Sequence, residues 1–312
     1  MTIVAFSAAR PLRIGTRRSP LALAQANTAA ADIRAAHGLA EDAVVLVPML
    51  ASGDKNQDQP LADIGGKALW TKELERALVD GHIDIAVHSM KDVETVRPDI
   101  FHIAAMLPRA DVRDRLIGAT SVETLPQGAR VGTSSPRRAA QLSRLRPDLR
   151  IVPLRGNVAT RLARIEAGEA DATLLAAAGL ERLGMHDTGH AIAVDHVLPA
   201  ASQGAVGIDQ LRTRVDLAAL LAAINHTPTA NAVWAERQFL QALGGNCHSP
   251  VAALALIESG DIHLRGQIFS NDGSEMQSGE MRFSGNDQSA PAKLADRLLG
   301  SASEGLRALF DR

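Results

Sequence analysis

Residues 12–25 read LRIGTRRSPLALAQ. Leu12 to Thr16 reads as a short strand. Ser19 and Pro20 then form an N-cap and first helical residue, because the cap hydroxyl accepts an orphan N–H and proline needs none. An apolar-periodic stretch from Leu21 to Ala36 follows, and Gly38 stops it. Residues 131–142, VGTSSPRRAAQL, repeat the pattern. Ala129–Thr133 is the strand, Ser135-Pro136 the helix start, and Arg137–Leu145 the helix. Both units run strand, Gly-Thr, hydroxyls and arginines, then Ser-Pro. The spacing predicts two similar α/β domains facing one cleft. Chance likeness of two short turns is the alternative.

Outward from these two stretches, Val44–Leu50 and Ile83–His88 read as buried strands and Leu69–Val79 as a helix. Strands alternating with helices imply βαβ units and a parallel sheet. Ile151–Leu154 and Ala172–Ala177 complete the second unit, and Ala205–Asp209 reads as a strand returning to the first sheet. From about residue 226 the texture changes. Thr227-Pro228 opens a helix to about Leu243. Ile262–Phe269 and Met276–Phe283 flank Ser270-Asn271-Asp272-Gly273, a hairpin signal. Pro291–Phe310 reads as a terminal helix. The expected domains are 1–105 with 205–225, 106–204, and an α+β domain at 226–312.

Composition narrows the function. The chain has 312 residues, 46% hydrophobic and 22% charged, which is ordinary for a globular protein. No apolar run approaches the ~20 residues that span a bilayer, and the N-terminus lacks a signal-peptide pattern. One cysteine, Cys247, leaves no internal disulfide and no multi-cysteine metal site. A cytoplasmic location is expected. The chain has no tyrosine, 3% aromatics and a net charge of −2, which disfavours nucleic acid as a partner. Arginines outnumber lysines 28 to 5. Guanidinium forks suit discrete carboxylates or phosphates, although a GC-rich genome favours arginine too.

The helix starts at Ser19 and Ser135 are candidate anion sites, with free N–H groups and the positive end of the dipole pointing outward. Arg17, Arg18, Arg137 and Arg138 flank them, with Thr133 and Ser134 as hydroxyl donors. Plain capping with solvated arginines is the alternative. Arg155-Gly156-Asn157, Arg161 and Arg182 follow strands at the edge where α/β sheets bind ligands. His88-Ser89-Met90-Lys91-Asp92 follows an apolar strand, and an Asp there can stabilise a cation or shuttle a proton. It can equally be a loop acid. Gly65-Gly66-Lys67 lacks the remaining P-loop residues. His186 and His190 have no third partner for a metal. Cys247, after Gly244-Gly245-Asn246, is either a small buried hydrophobe or an accessible thiol.

Taken in order, several segments resemble the porphobilinogen deaminase (hydroxymethylbilane synthase) family. They are Leu12–Gln25, Gly65–Leu78 (GGKALWTKELERAL), Asp84–Val93 (DIAVHSMKDV), Val131–Leu142, Leu154–Leu162 (LRGNVATRL), Ala177–Gly184 (AAGLERLG), Leu198–Ile208 (LPAASQGAVGI) and Glu236–Val251 (ERQFLQALGGNCHSPV). The resemblance implies two domains like those of type II periplasmic binding proteins, plus a smaller domain carrying a cofactor cysteine. It implies a transferase that joins four porphobilinogens head-to-tail, with loss of ammonia, onto a dipyrromethane primer held by a thioether to Cys247. Hydrolysis then releases hydroxymethylbilane. Asp92 matches the catalytic aspartate, which would stabilise the cation left by ammonia loss and take up the proton released on rearomatisation.

Six rings with two carboxylates each make a polyanion suited to forked arginines. The binders implied by the resemblance are Arg17, Ser19, Lys67, Lys91, Thr133, Ser134, Ser135, Arg137, Arg138, Arg155, Gly156, Arg161, Arg182 and Gln203. Trp70 and Gln25 would belong to a stacking surface or lid. Asp63 departs from a usual lysine, Trp70 from phenylalanine, Pro136 from leucine, Asn246 and Ser202 from glycines, and Glu94 from proline. The reading is a monomeric enzyme taking a small-molecule substrate, with no metal, membrane or nucleic acid. The alternatives are a non-catalytic solute-binding protein or an inactive paralogue.

Overall fold

The computed structural model describes residues 6–49, 71–245 and 249–310. Asp63, Lys67, Trp70, Asn246 and Cys247 lie outside the described residues. The chain opens with β1 (Leu12–Arg17), α1 (Pro20–His37), β2 (Val44–Met49), α2 (Lys72–Val79), β3 (Ile85–Ser89) and β4 (Phe101–Met106). Next come β5 (Asp114–Ile117), β6 (Arg130–Gly132), α3 (Pro136–Leu145), β7 (Arg150–Val152), α4 (Val158–Glu166), β8 (Ala172–Ala176), α5 (Ala177–Arg182) and β9 (His190–Ala191). Strand β10 (Val206–Leu211), α6 (Ala218–Ala222) and α7 (Thr227–Ala242) lead to β11 (Val251–Glu258), β12 (Asp261–Phe269), β13 (Met276–Ser284), α8 (Ala290–Ser301) and α9 (Glu304–Arg307).

The two helix starts form as the sequence predicts. Ser19 is extended, its hydroxyl accepts from the Ala22 N–H, and Gly38 ends α1 in the left-handed region. Ser135 caps α3 by accepting from the Arg138 N–H, with Pro136 at the first helical position. That placement explains why proline is tolerated there, since its missing N–H is an orphan in any helix.

The first sheet runs β2-β1-β3-β10-β4 and the second β7-β6-β8-β5-β9. In the first, β1 is parallel to β2 and β3, while β10 is antiparallel to β3 and β4. In the second, β6 is parallel to β7 and β8, while β5 is antiparallel to β8. Each is the 2-1-3-n-4 order of the type II periplasmic-binding-protein fold. The returning strand is β10, pairing His88 with Gly207, so the expected return of the chain to the first sheet is observed.

The chain forms two compact units, residues 1–110 with 205–230, and 111–204 with 231–312. In the first, α1 buries Ala26, Ala29, Ala30 and Ile33 against Ile14, Ile85 and Val87. On the other sheet face α2 buries Leu74, Ala77 and Leu78 against Ile83 and Ala86. The odd and even residues of β3 therefore point to different helices, as its period of two requires.

The expected second and third domains share the second unit. Each keeps its own sheet, but a mixed apolar cluster joins them through Ala140, Leu198, Ala252, Leu254 and Phe269. The β12–β13 hairpin also seats on α3. A Cβ on Gly273 (φ 75°) would stand 2.2 Å from the Ala140 carbonyl oxygen, so only glycine fits. The expected single terminal helix is two. Ser303 starts α9 by accepting from the Leu306 N–H, while its own N–H donates to Glu275 Oε1 at 2.9 Å.

Candidate active site

In the first unit a depression opens at the carboxyl edge of the parallel strands. Arg17, Ser19, Gln25, Thr71, Ser89 and Asp92 are among its lining residues. Strand β1 delivers Arg17 and the cap Ser19. Strand β3 delivers Ser89, and the 3-10 turn Met90–Asp92 delivers Lys91 and Asp92. Met90 is fully buried and Val93 nearly so, which anchors both ends of that turn. Asp92 is exposed, and among the described residues its carboxylate has no hydrogen-bond or ion-pair partner. The Thr71 hydroxyl is buried and equally unpartnered. Gln25 is not open to a ligand in the same way. Its amide exchanges two hydrogen bonds with the Ser89 hydroxyl, at 2.8 and 3.0 Å, and so braces α1 against β3.

The second unit puts arginines at the corresponding edge. Ser134 Oγ donates to the Leu154 carbonyl, and Thr133 Oγ1 accepts from the Ser135 N–H. Asn157 caps α4, Gly156 takes φ 108°, and Arg161 Nε donates back to the Gly156 carbonyl at 2.9 Å. Arg182 donates to the Gly204 carbonyl at 2.7 Å. Burial lowers the Arg182 guanidinium from its ordinary value, against the pull of Glu181. Arg155 is half-buried beside this turn.

Arg137 and Arg138, read from sequence as arginines aimed outward at anions, are folded inward. Both are buried on Asp114, itself 1% exposed. Arg137 Nη2 bonds Asp114 Oδ2 at 2.8 Å, and Arg138 Nη2 bonds Oδ1 at 2.7 Å. Gln203 Nε2 adds a bond to Oδ1 at 2.8 Å. Arg137 also holds the Leu198 carbonyl and Arg138 the Leu174 carbonyl. Burial alone would raise the Asp114 carboxyl, but Arg138 and Arg137 override it and hold it well below the usual carboxylate range. Burial lowers Arg137, with the Arg138 charge adding to the effect against Asp114. Two cations share one buried anion, and the Arg137 Nε–H finds no acceptor. The α3 start therefore rests on a buried positive surplus.

These features fit a polycarboxylate group. One more carboxylate near the α3 start would balance the surplus, whereas an apolar ligand would leave it uncompensated. The first unit offers an exposed carboxylate and an unpartnered buried hydroxyl to the polar edge of a ring.

Sequence reasoning missed Asp114, Asp209, Arg97 and Thr71. The available signal was a charged residue inside an apolar strand, Asp209 after Val206-Gly207-Ile208, since a buried charge demands a partner. Among the described residues no group of three or more His, Cys, Asp or Glu side chains stands ready to hold a metal. No described helix is long and apolar enough to cross a membrane.

Two five-stranded sheets of one strand order, with an exposed acid beside a capped helix start in the first unit and arginines at the matching edge of the second, mark the class as an α/β enzyme of a small-molecule substrate. Known proteins give the family. The family model described as "Porphobilinogen deaminase, dipyromethane cofactor binding domain" matches residues 12–219, and that described as "Porphobilinogen deaminase, C-terminal domain" matches residues 230–300. A porphobilinogen deaminase of Sphingopyxis alaskensis is 58% identical over 96% of this chain and 96% of its own. One from Paracoccus denitrificans is 48% identical over 94% of this chain and 95% of its own. A periplasmic substrate-binding protein of an ABC transporter from Coxiella burnetii is 16% identical, with TM-score 0.41, over 70% of this chain and 93% of its own. The chain belongs to the porphobilinogen deaminase family, enzymes of tetrapyrrole biosynthesis with a dipyrromethane cofactor. The solute-binding alternative falls away.

Proposed function

We propose that the protein joins four porphobilinogens head-to-tail onto a dipyrromethane held by a thioether to Cys247, and releases hydroxymethylbilane, as a cytoplasmic monomer. The observation that carries the mechanism is the exposed Asp92 carboxylate, free among the described residues and set beside Arg17 and the Ser19 helix start. The bound dipyrromethane supplies the nucleophile, the free α-carbon of its terminal pyrrole.

The remaining steps belong to the chain's own residues. Arg17, Ser19 and Lys91 orient the substrate's acetate and propionate, using the guanidinium fork and the helix N–H groups. Asp92 then faces the positive charge that develops as ammonia leaves. A fixed carboxylate stabilises that charge without reorganisation. It also accepts the proton lost when the new ring regains aromaticity.

In the second unit Thr133, Ser134, Ser135, Arg155, Gly156, Arg161 and Arg182 supply carboxylate donors. Arg137 and Arg138 supply the surplus charge, with Gln203 steadying Asp114 beneath them. Lys67 and Trp70 join this set on the resemblance alone, as does Cys247. Gln25 acts as a brace rather than as a lid.

One experiment tests the reading: intact mass and turnover of wild type, Cys247→Ala and Asp92→Asn side by side. Wild type should be heavier by two linked pyrroles, and Cys247→Ala should lack that mass. Asp92→Asn should keep the mass and elongate orders of magnitude more slowly. Unmodified wild type after exposure to porphobilinogen would overturn the attachment, and normal turnover of Asp92→Asn would overturn its role.

A further inference from the structure

The depression around Asp92 has two walls that lie outside the strands of the sheet. One is Thr71, the residue just before α2. The other is the turn carrying Asp92 and the chain that follows it. A single buried side chain ties both to the sheet. Arg97 lies five positions beyond Asp92, with its side chain 9% exposed. Its Nε and Nη2 donate to Glu75 Oε1 on α2 at 3.2 and 2.9 Å. Nη2 also bonds Asp209 Oδ2 on β10. The guanidinium carbon stands 5.1 Å from the centre of the Phe101 ring on β4.

Asp209 is fully buried on the α2 face of the sheet, and His88 Nε2 stands 3.7 Å from the same oxygen. One cation therefore links a helix, two strands and the loop leaving the active-site turn. A buried pair of this kind is a poor source of net stability, because desolvation offsets the attraction, but it is directional.

We infer that Arg97, with Glu75 and Asp209, is a positioning clamp that sets the place of Thr71 and of the Asp92 turn relative to the sheet. Arg97 and its partners touch no reacting atom, and they act through those two walls. The inference rests on the reading of Asp92 as the catalytic carboxylate. It assigns function to a group of charges that the reaction itself leaves unused.

The test severs one arm of the clamp. Glu75→Met removes the acceptor on α2 while leaving the buried Arg97–Asp209 pair intact. Glu75→Gln restores an acceptor without the charge. In the holoenzyme, Glu75→Met should carry the same two-pyrrole mass increment over its own chain as wild type does. Its kcat should fall on the order of ten- to a hundredfold, the effect of a misplacement near an ångström. KM for porphobilinogen should stay within about twofold, because binding groups are untouched. Glu75→Gln should recover most of kcat. If Glu75→Met fails to fold, Arg97→Lys gives the same readout, since an ammonium keeps the charge beside Asp209 but cannot fork to both carboxylates.

Wild-type kcat in Glu75→Met with only a lower melting temperature would reduce the clamp to a staple and overturn the inference. A rise in KM alone would also overturn it. Asp92→Asn run in parallel separates the two claims. Slow Asp92→Asn with normal Glu75→Met sinks only the clamp, while normal Asp92→Asn sinks the reading beneath it.

Discussion

Gly207→Ala should slow catalysis without touching the substrate. Gly207 sits in β10 opposite His88, and its φ lies outside the left-handed region, so alanine strains no backbone. The obstacle is space. A Cβ there would stand 2.1 Å from Met90 Sδ, 3.0 Å from Met90 Cγ and 3.2 Å from Ile103 Cγ2, where ordinary contact begins at 3.4 Å. The sulfur must retreat by more than an ångström. Met90 is fully buried and opens the turn that carries Lys91 and Asp92. Overpacking of this size costs about 1–3 kcal/mol, or roughly 2–4 °C in Tm per kcal/mol for a domain of this size. If the turn yields with Met90, kcat falls by up to about a hundredfold. Steady-state turnover and thermal melting measure the two effects, and intact mass checks that the cofactor stays attached. Met90→Ala opens a cavity that the new methyl partly fills. The double variant should therefore be more stable than Met90→Ala alone, a favourable coupling between neighbours. Wild-type kcat in Gly207→Ala, or no coupling in the double variant, would refute the steric link between β10 and the Asp92 turn.

Asp114→Asn strips the buried counter-charge from Arg137 and Arg138, a loss of about 3–5 kcal/mol. The folded carboxyl is depressed below its unfolded value near 3.9, so its stabilisation is complete above that pH and is lost as pH falls toward the folded value. Acid titration of stability should therefore give a shallower limb in Asp114→Asn than in wild type, and an identical slope would refute the assignment. Ser202 adopts φ 66° with its hydroxyl buried and unpartnered. Ser202→Gly should gain about 1 kcal/mol by removing the left-handed strain, read as a raised midpoint in urea, and an unchanged or lower midpoint would show that the strain is absorbed elsewhere.

Much of the fold was legible because it depends on local signals. Ser19-Pro20 and Ser135-Pro136 announced two helices, and short apolar runs announced β1, β2, β3, β6, β7, β8 and β10, though not β4, β5, β9 or β11. The hairpin turn at Ser270–Gly273 announced itself by composition. The break between α8 and α9 was not legible, since Ser303 reads as an ordinary helical residue until Glu275, 28 positions earlier, takes its N–H and hydroxyl. The candidate acid, Asp92, was visible at the end of an apolar strand. The inward fold of Arg137 and Arg138 was not, because Asp114 reaches them from 23 and 24 positions away. Likewise Arg97 meets Asp209 across 112 positions. Long-range charge pairing leaves only a faint trace in sequence, an isolated charge in an apolar run, and that trace names no partner. The departure at Ser202 has a visible cost, because the position takes the left-handed conformation that the glycine of the resemblance would adopt freely.

The two sheets share one strand order, so what differs at matching positions is what divides the chemistry. After β3 the chain turns through Met90, Lys91 and Asp92. After β8, the matching strand, it enters α5 through Ala177, Ala178 and Gly179, all buried and uncharged. The acid therefore appears once. At the other matching edge, Ser19 caps a helix whose next residues are Pro20, Leu21 and Ala22, while Ser135 caps one whose next residues are Pro136, Arg137 and Arg138. The surplus buried charge also appears once. Under the proposed reaction, which repeats one coupling step, one acid suffices, because each developing cation meets the same carboxylate in turn. The asymmetry between two sheets of equal topology thus resides in a few side chains rather than in the fold.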